Sequence, residues 1–225
     1  MKEISSLFQS DNNIWVIHYA SSNFENYPIR IASIALRRLK NNQIFSFSMN
    51  DTEYDDGKEK QILKAFFEHI KSDPLAKYLH WNMRDDSYGF AVIQNRFKAL
   101  FPNEELPFLI SDQDKYDLSR ILIEIYGDNY IDDPKLKTLI EKNSLNSKYF
   151  LEGEDEAEAF KNKQFSKIAR STKCKVNNLA DLADLVYKKN LKTNCIRISS
   201  SSIAILASII TGDNKEIGHT YKTGQ

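Results

Sequence analysis

Three short segments rich in β-branched and aromatic residues follow one another near the start of the chain, before any helical pattern occurs. They are 14–18, 29–39 and 43–49, and the polar triplet 40–42 between the last two is typical of a hairpin turn. Short apolar segments bounded by turn residues indicate strands rather than helices. We therefore expect three strands in meander order.

Helical patterns begin after these strands. Residues 59–70 carry an apolar stripe at helical spacing, and Pro74 prevents its continuation. A fourth strand is expected over 76–81, and further helices are expected over 90–101, 116–126, 134–142, 154–165 and 179–187. This order predicts an α/β fold in which a mixed sheet is flanked by helices.

The length of 225 residues suits one large domain, alone or with a small appendage. We predict one domain over 1–195 and a C-terminal extension over 196–225 that holds a short apolar helix and a mobile tail. The apolar run 203–210 is far shorter than the roughly 20 residues that cross a bilayer. Because the N-terminus carries no signal-peptide pattern either, we expect a cytoplasmic protein with no membrane partner.

Several function classes are disfavoured by the motifs that the sequence lacks. No GxxxxGK[ST], GxGxxG, GxSxG or HExxH string occurs, which argues against P-loop hydrolysis, serine-hydrolase chemistry and a zincin site. Cys174 and Cys195 form no CxxC pair, so free thiols are expected. The 31 basic and 31 acidic side chains cancel, so overall charge does not indicate nucleic-acid binding.

The order of three strands, a helix, a strand ending in His80-Trp81-Asn82, and a helix that carries Arg96 resembles the DEDD-type 3′–5′ exonucleases of the ribonuclease H-like superfamily. The resemblance also includes segments 14–17, 31–36 and 45–47 of the first three strands, and it extends more faintly to residue 191. It implies a ribonuclease H-like sheet flanked by helices.

In that family, two divalent ions are held by an Asp and a Glu on the first strand, an Asp after the fourth strand and an Asp on a late helix. Aligned with this pattern, His18 and Ala20 replace the two first-strand acids, and Lys175 stands at the late-helix position. Asp85 or Asp86 meets the requirement after the fourth strand. An offset of one or two helical turns would instead bring Asp181 or Asp184 to the late position.

From this resemblance we expect a catalytically degenerate, exonuclease-like module that binds nucleic acid or a protein partner and needs no cofactor. We expect it to act in a bacterial antiviral or mobile-element system. Two alternatives stay open. One is an active nuclease that uses Mg²⁺ or Mn²⁺ with Asp85, Asp86 and Asp117 as catalytic residues. The other is a structural adaptor that forms a homo-oligomer through its C-terminal helix.

Individual residues carry more specific hypotheses, each with a simpler alternative. His18, Asp85 and Asp86 suit a reduced one-metal site, although aspartates in such a segment also serve as turn residues. Candidate nucleic-acid contacts combine aromatic and basic side chains, which either bind bases and phosphates or fill a core and solvate a helix face. They are Trp81, Arg84, Arg96, Lys167, Arg170, Lys173 and Lys175.

Overall fold

The computed structural model describes residues 13–22, 28–49, 56–85 and 87–195. The expected C-terminal extension 196–225 lies outside the described residues, and so does Asp86. In the described part of the chain, no helix has the length and apolar character needed to cross a bilayer.

Five strands form one mixed sheet: β1 (Ile14–Ser21), β2 (Ile31–Arg38), β3 (Ile44–Ser48), β4 (Lys77–His80) and β5 (Lys115–Asp117). Their order across the sheet is β3-β2-β1-β4-β5. The first three strands pair antiparallel as a meander, whereas β4 runs parallel to both β1 and β5. The predicted α/β fold with a mixed sheet flanked by helices is confirmed.

The described residues form six α-helices around this sheet: α1 (Asp56–Lys71), α2 (Phe90–Leu100), α3 (Leu118–Tyr126), α4 (Lys135–Lys142), α5 (Gly153–Lys161) and α6 (Phe165–Tyr187). One face of β1 presents Trp15, Ile17 and Tyr19 to a core shared with α1 and α2. The opposite face presents Ile14 and Val16 to a second core shared with α3 and α6. The central strand is therefore covered on both sides.

Three predictions of helix boundaries were wrong. The helix expected over 116–126 begins only at Leu118, because Lys115–Asp117 pairs with β4 as a fifth strand. The helix expected over 179–187 is the last part of a 23-residue helix that begins at Phe165. Residues 154–165 do not form one helix, because α5 ends at Lys161 and Lys163 adopts a positive φ of 57° before α6.

A buried ion pair joins α1 and α2 to the edge of β2. Glu59 is fully buried, and its two carboxylate oxygens accept hydrogen bonds from Arg96 Nε at 2.9 Å and Arg96 Nη2 at 2.6 Å. The oxygen that accepts from Nε also accepts from the backbone N–H of Ile31 at 2.6 Å. Bidentate pairs of this kind are among the stronger polar contacts in proteins.

We expect Glu59→Gln to lower the free energy of unfolding by about 3–5 kcal/mol, because it removes the buried counter-charge of Arg96 and leaves only the exposed Asp56, at 3.4 Å. Urea unfolding followed by circular dichroism measures the loss. Glu68→Gln, on the exposed side of the same helix, is the matched control and is expected to change stability by no more than about 0.5 kcal/mol. Equal effects of the two substitutions would contradict a special role for the buried pair.

Candidate functional site

An open pocket of about 450 Å³ lies at the C-terminal end of β1. Its wall is formed by the last residues of β1, by Tyr88, by the first turn of α5 and by Lys175 of α6. The lining residues are Tyr19, Ala20, Ser21, Ser22, Tyr88, Gly153, Glu154, Glu156, Ala157 and Lys175. The sequence positions aligned with a first-strand acid and with the late-helix acid, Ala20 and Lys175, therefore line the same cavity.

An ion pair between Lys175 and Glu156 occupies one side of this pocket. Lys175 Nζ lies 2.8 Å from Glu156 Oε1, and the two side chains are only 8% and 13% exposed. The same carboxylate oxygen accepts a hydrogen bond from Ser171 Oγ at 2.9 Å. Lys175 Nζ also lies 5.1 Å from the centre of the Phe150 ring. The ammonium group is therefore fixed in place by a carboxylate and an aromatic ring.

His18 is buried on β1, with 5% of its surface exposed. Burial lowers the pKa of its imidazole well below the usual value of 6.5, and the positive charge of Lys175 lowers it further. Neither ring nitrogen makes a hydrogen bond to the described residues. The ring is therefore neutral at physiological pH.

Two tyrosines form one wall of the pocket: Tyr19 of β1 and Tyr88 of the β4–α2 loop. The rings of Tyr19 and Tyr88 stack with their centres 4.9 Å apart, and the Tyr19 hydroxyl oxygen accepts a hydrogen bond from the Gly89 N–H at 3.1 Å. Any side chain at position 89 would collide with the Met83 carbonyl oxygen, so the loop requires glycine there. This stack and loop fix the shape of the pocket wall.

The donor atoms of this pocket do not fit a pair of divalent metal ions. Mg²⁺ and Mn²⁺ prefer several negatively charged oxygen ligands. The lining offers two carboxylates, Glu154 and Glu156, and Glu156 is already paired with the Lys175 ammonium. His18, Ala20 and Lys175, which stand at three of the four positions where the resemblance implies carboxylates, supply none. Among the described residues, no group of three or more Asp, Glu, His and Cys side chains is arranged to hold a metal ion.

Asp181 and Asp184, the alternatives to Lys175, do not line the pocket. Asp181 pairs with Arg37 on β2 at 2.9 Å, and Asp184 pairs with Lys188 at 2.7 Å. Arg37 lies opposite Val16 in the sheet, which is towards the far end of β1 from the pocket. Of Lys175, Asp181 and Asp184, only Lys175 lines the pocket.

Asp117 stands at the end of β5 and binds three neighbouring groups. One carboxylate oxygen accepts from the Ser119 N–H at 3.0 Å, which caps α3, and from the Asn82 N–H at 3.1 Å. The other oxygen forms an ion pair with Arg84. Its side chain is only 8% exposed. These contacts give Asp117 a structural role in holding the β4–α2 loop against α3.

Asp85 lies in an exposed turn of that loop. Its Oδ1 accepts hydrogen bonds from the Ser87 N–H at 2.7 Å and the Ser87 hydroxyl at 2.6 Å, and these bonds lower the pKa of the carboxyl group. This is the geometry of an aspartate that stabilises a turn. It is the simpler of the two interpretations of Asp85 given above.

The candidate nucleic-acid contacts divide into buried and exposed groups. Trp81 and Arg96 are each 8% exposed, and Arg96 pairs with Glu59, so we do not include either residue in a binding surface. Lys175 points into the pocket. Arg84 is 45% exposed but paired with Asp117. Lys167, Arg170 and Lys173 are exposed on α6.

The sequence analysis missed Glu156, Ser171 and the tyrosine stack. Glu156 was visible only as one of several acids in the first turn of a helix. Its partner Lys175 lies on a different helix, and no local pattern relates the two positions. Only the packing of α5 against α6 brings them together.

No family model matches this sequence, and no curated protein matches it. Among solved structures, the chain is similar to a structure of exonuclease I that suggests how processivity is achieved. The identity is 16% and the TM-score 0.48, over 79% of this chain and 41% of that chain. It also resembles E. coli exonuclease I in complex with a dT13 oligonucleotide, with 17% identity and a TM-score of 0.45 over 78% of this chain and 41% of that chain. The chain thus spans less than half the length of these exonucleases, and similarity of this size concerns the fold alone.

Acid is expected to destabilise the protein through His80, the buried histidine at the end of β4. Burial lowers the pKa of His80 from 6.5 to about 4, and its Nδ1 accepts a hydrogen bond from the Met83 N–H at 3.1 Å. The unfolded chain therefore takes up a proton at higher pH than the folded chain. Stability is complete above pH about 6.5 and falls by about 3 kcal/mol as the pH drops to about 4.

Urea unfolding at a series of pH values tests this expectation. His80→Gln removes the titrating ring, so its unfolding free energy should fall less steeply with pH over the same interval than that of the wild type. His69→Gln, at a partly buried histidine of α1, serves as the comparison. Parallel pH profiles for the wild type and His80→Gln would contradict the assignment.

Proposed function

We propose that this protein is a ribonuclease H-like module that binds nucleic acid without hydrolysing it. The observation that carries this proposal is the ion pair between Lys175 and Glu156 in the pocket at the end of β1. It puts a fixed positive charge at the position where the exonuclease resemblance implies a metal ligand. Its setting in an antiviral or mobile-element system stays a prediction from that resemblance.

The electrostatic argument depends on burial. Charges inside a protein interact more strongly than charges in water, because less solvent screens them. A divalent ion placed near Ala20 would find only two carboxylates in the lining, Glu154 and Glu156, and Glu156 is already paired with the Lys175 ammonium. His18 is available only as a neutral ring, and its hydrogen-bonding nitrogens lie beneath the protein surface.

Binding of nucleic acid is supported by the charge pattern of α6. From residue 165 to residue 180 this helix contains no Asp or Glu, whereas it contains Lys167, Arg170, Lys173 and Lys175. Three of these cations point to solvent. A helix face with this composition attracts phosphate groups and releases counterions when it binds them.

The first test is a cleavage assay with the pure protein and labelled single-stranded and double-stranded DNA and RNA. We expect no cleavage with Mg²⁺ or Mn²⁺, no effect of EDTA, and binding that weakens as salt is raised. Chelator-sensitive cleavage that is lost in Asp85→Ala would sink the proposal and favour the active nuclease. Absence of both cleavage and binding would favour a structural adaptor.

A second test restores the missing carboxylates in one variant, His18→Asp combined with Ala20→Glu and Lys175→Asp. Without metal, we expect this variant to unfold at a lower temperature, because the new acids repel one another and Glu156. Mn²⁺ should raise its unfolding temperature, whereas Mn²⁺ should leave that of the wild type unchanged. A wild type that is stabilised by Mn²⁺ as strongly as the variant would contradict our account of the pocket.

A further inference from the structure

The outer surface of α6 carries cations that are not neutralised by neighbouring acids. We use "outer surface of α6" for Lys148, Tyr149, Lys167, Arg170 and Lys173. Lys167, Arg170 and Lys173 are exposed and follow one another at intervals of three residues, or about 4.5 Å along the helix axis. Within the described ranges of the chain, neither these three side chains nor Lys148 has a carboxylate within ion-pair distance.

Tyr149 adds an aromatic ring to this group of cations. The ring is 45% exposed, with Arg170 Cζ at 5.6 Å and Lys148 Nζ at 5.2 Å from its centre. Tyrosine is among the residues that are enriched at binding interfaces. The ring therefore offers stacking area next to positive charge.

The loop that holds Tyr149 is fixed to α6 on both sides of the ring. Before it, the Asn146 carbonyl oxygen accepts hydrogen bonds from Asn178 Nδ2 at 3.0 Å and Cys174 Sγ at 3.2 Å. After it, the Leu151 N–H donates to Ser171 Oγ at 3.1 Å. A ring held in place in this way loses little conformational entropy when it binds a ligand.

The pocket has the opposite charge character. It contains Glu154 and Glu156 but only one cation, Lys175, which already pairs with Glu156. A phosphate group that entered the pocket would meet an excess negative charge, whereas the outer surface of α6 carries four cations without acidic partners among the described residues. The charge distribution therefore favours the outer surface over the pocket for a polyanion.

From these observations we infer that single-stranded nucleic acid binds across the outer surface of α6 and not in the pocket. Lys148, Lys167, Arg170 and Lys173 contact phosphates, and one base stacks on Tyr149. A single strand is the occupant that fits, because its bases are free to stack on a protein ring, whereas the bases of a duplex stack on each other. The inference rests on the proposed function and adds to it the binding surface and the form of the nucleic acid.

The experiment measures fluorescence anisotropy of labelled oligo(dT) and of a duplex of the same length with the full-length protein. We expect Arg170→Glu and Lys148→Glu each to weaken binding of the single strand at least about tenfold and to reduce the slope of log K against log salt by about 0.7 per lost phosphate contact. The matched control is Arg120→Glu, the same charge change on the exposed side of α3, which should leave affinity within about twofold of the wild type.

Substitutions of the ring separate stacking from charge. Tyr149→Ala should weaken binding of the single strand about tenfold, whereas Tyr149→Phe keeps the stacking ring and should bind like the wild type. Ser21→Trp fills the pocket and should leave affinity unchanged. Circular dichroism melting of each variant establishes that it is folded.

The outcomes separate this inference from the proposed function. Wild-type binding that is insensitive to Arg170→Glu, Lys148→Glu and Tyr149→Ala would overturn the inference and leave the proposed function standing. Loss of binding in Ser21→Trp alone would place the ligand in the pocket and would also overturn the inference. Equal affinity for duplex and single strand would overturn the assignment of a single strand. A wild type that binds no nucleic acid would remove the proposed function, and the inference with it.

Discussion

β1 is buried on both faces, and this constraint determines what the neighbouring side chains can be. The strand lies in the middle of the sheet, between β2 and β4, with α1 and α2 packed on one face and α3 and α6 on the other. A charged group in such a position costs far more than a neutral one unless it is paired. His18 meets the requirement by being neutral, and at the end of the strand Lys175 meets it by pairing with Glu156. The electrostatics of the pocket therefore follow from the position of β1 in the fold.

Two buried ion pairs among the described residues fix different parts of that fold. The pair of Glu59 and Arg96 joins α1, α2 and the start of β2. The pair of Lys175 and Glu156 joins α5 to α6 beside the pocket. Removal of one partner from such a pair leaves an uncompensated charge, so each residue constrains the other. A single change of Lys175 to a carboxylate would place two acids together without a counter-charge. A metal site in this pocket would thus require several substitutions at once.

The sequence predicted the strands of the meander, the fourth strand and the helices that follow it, because each has an apolar pattern of sufficient length. It failed at β5, where Lys115–Asp117 has three residues and becomes a strand only by pairing with β4. It also divided α6, whose first half contains Ser, Thr and Lys residues and is stabilised by packing against the sheet rather than by its own pattern. At the site, the alignment of His18, Ala20 and Lys175 came from the sequence. Glu156 did not, because the contact between α5 and α6 is a tertiary one.

The acid-free segment of α6 has cations on both its inner and its outer side, in different surroundings. Lys175 faces inward and is neutralised by Glu156, whereas Lys173, two residues earlier, faces solvent. An acid on the outer side would pair with Arg170 or Lys173 and reduce the positive potential of the outer surface of α6. On the inner side, the position of the ion pair leaves the pocket with excess negative charge. Under the proposed function, a polyanion is thus attracted to the solvent side of α6 and not to the pocket beside β1.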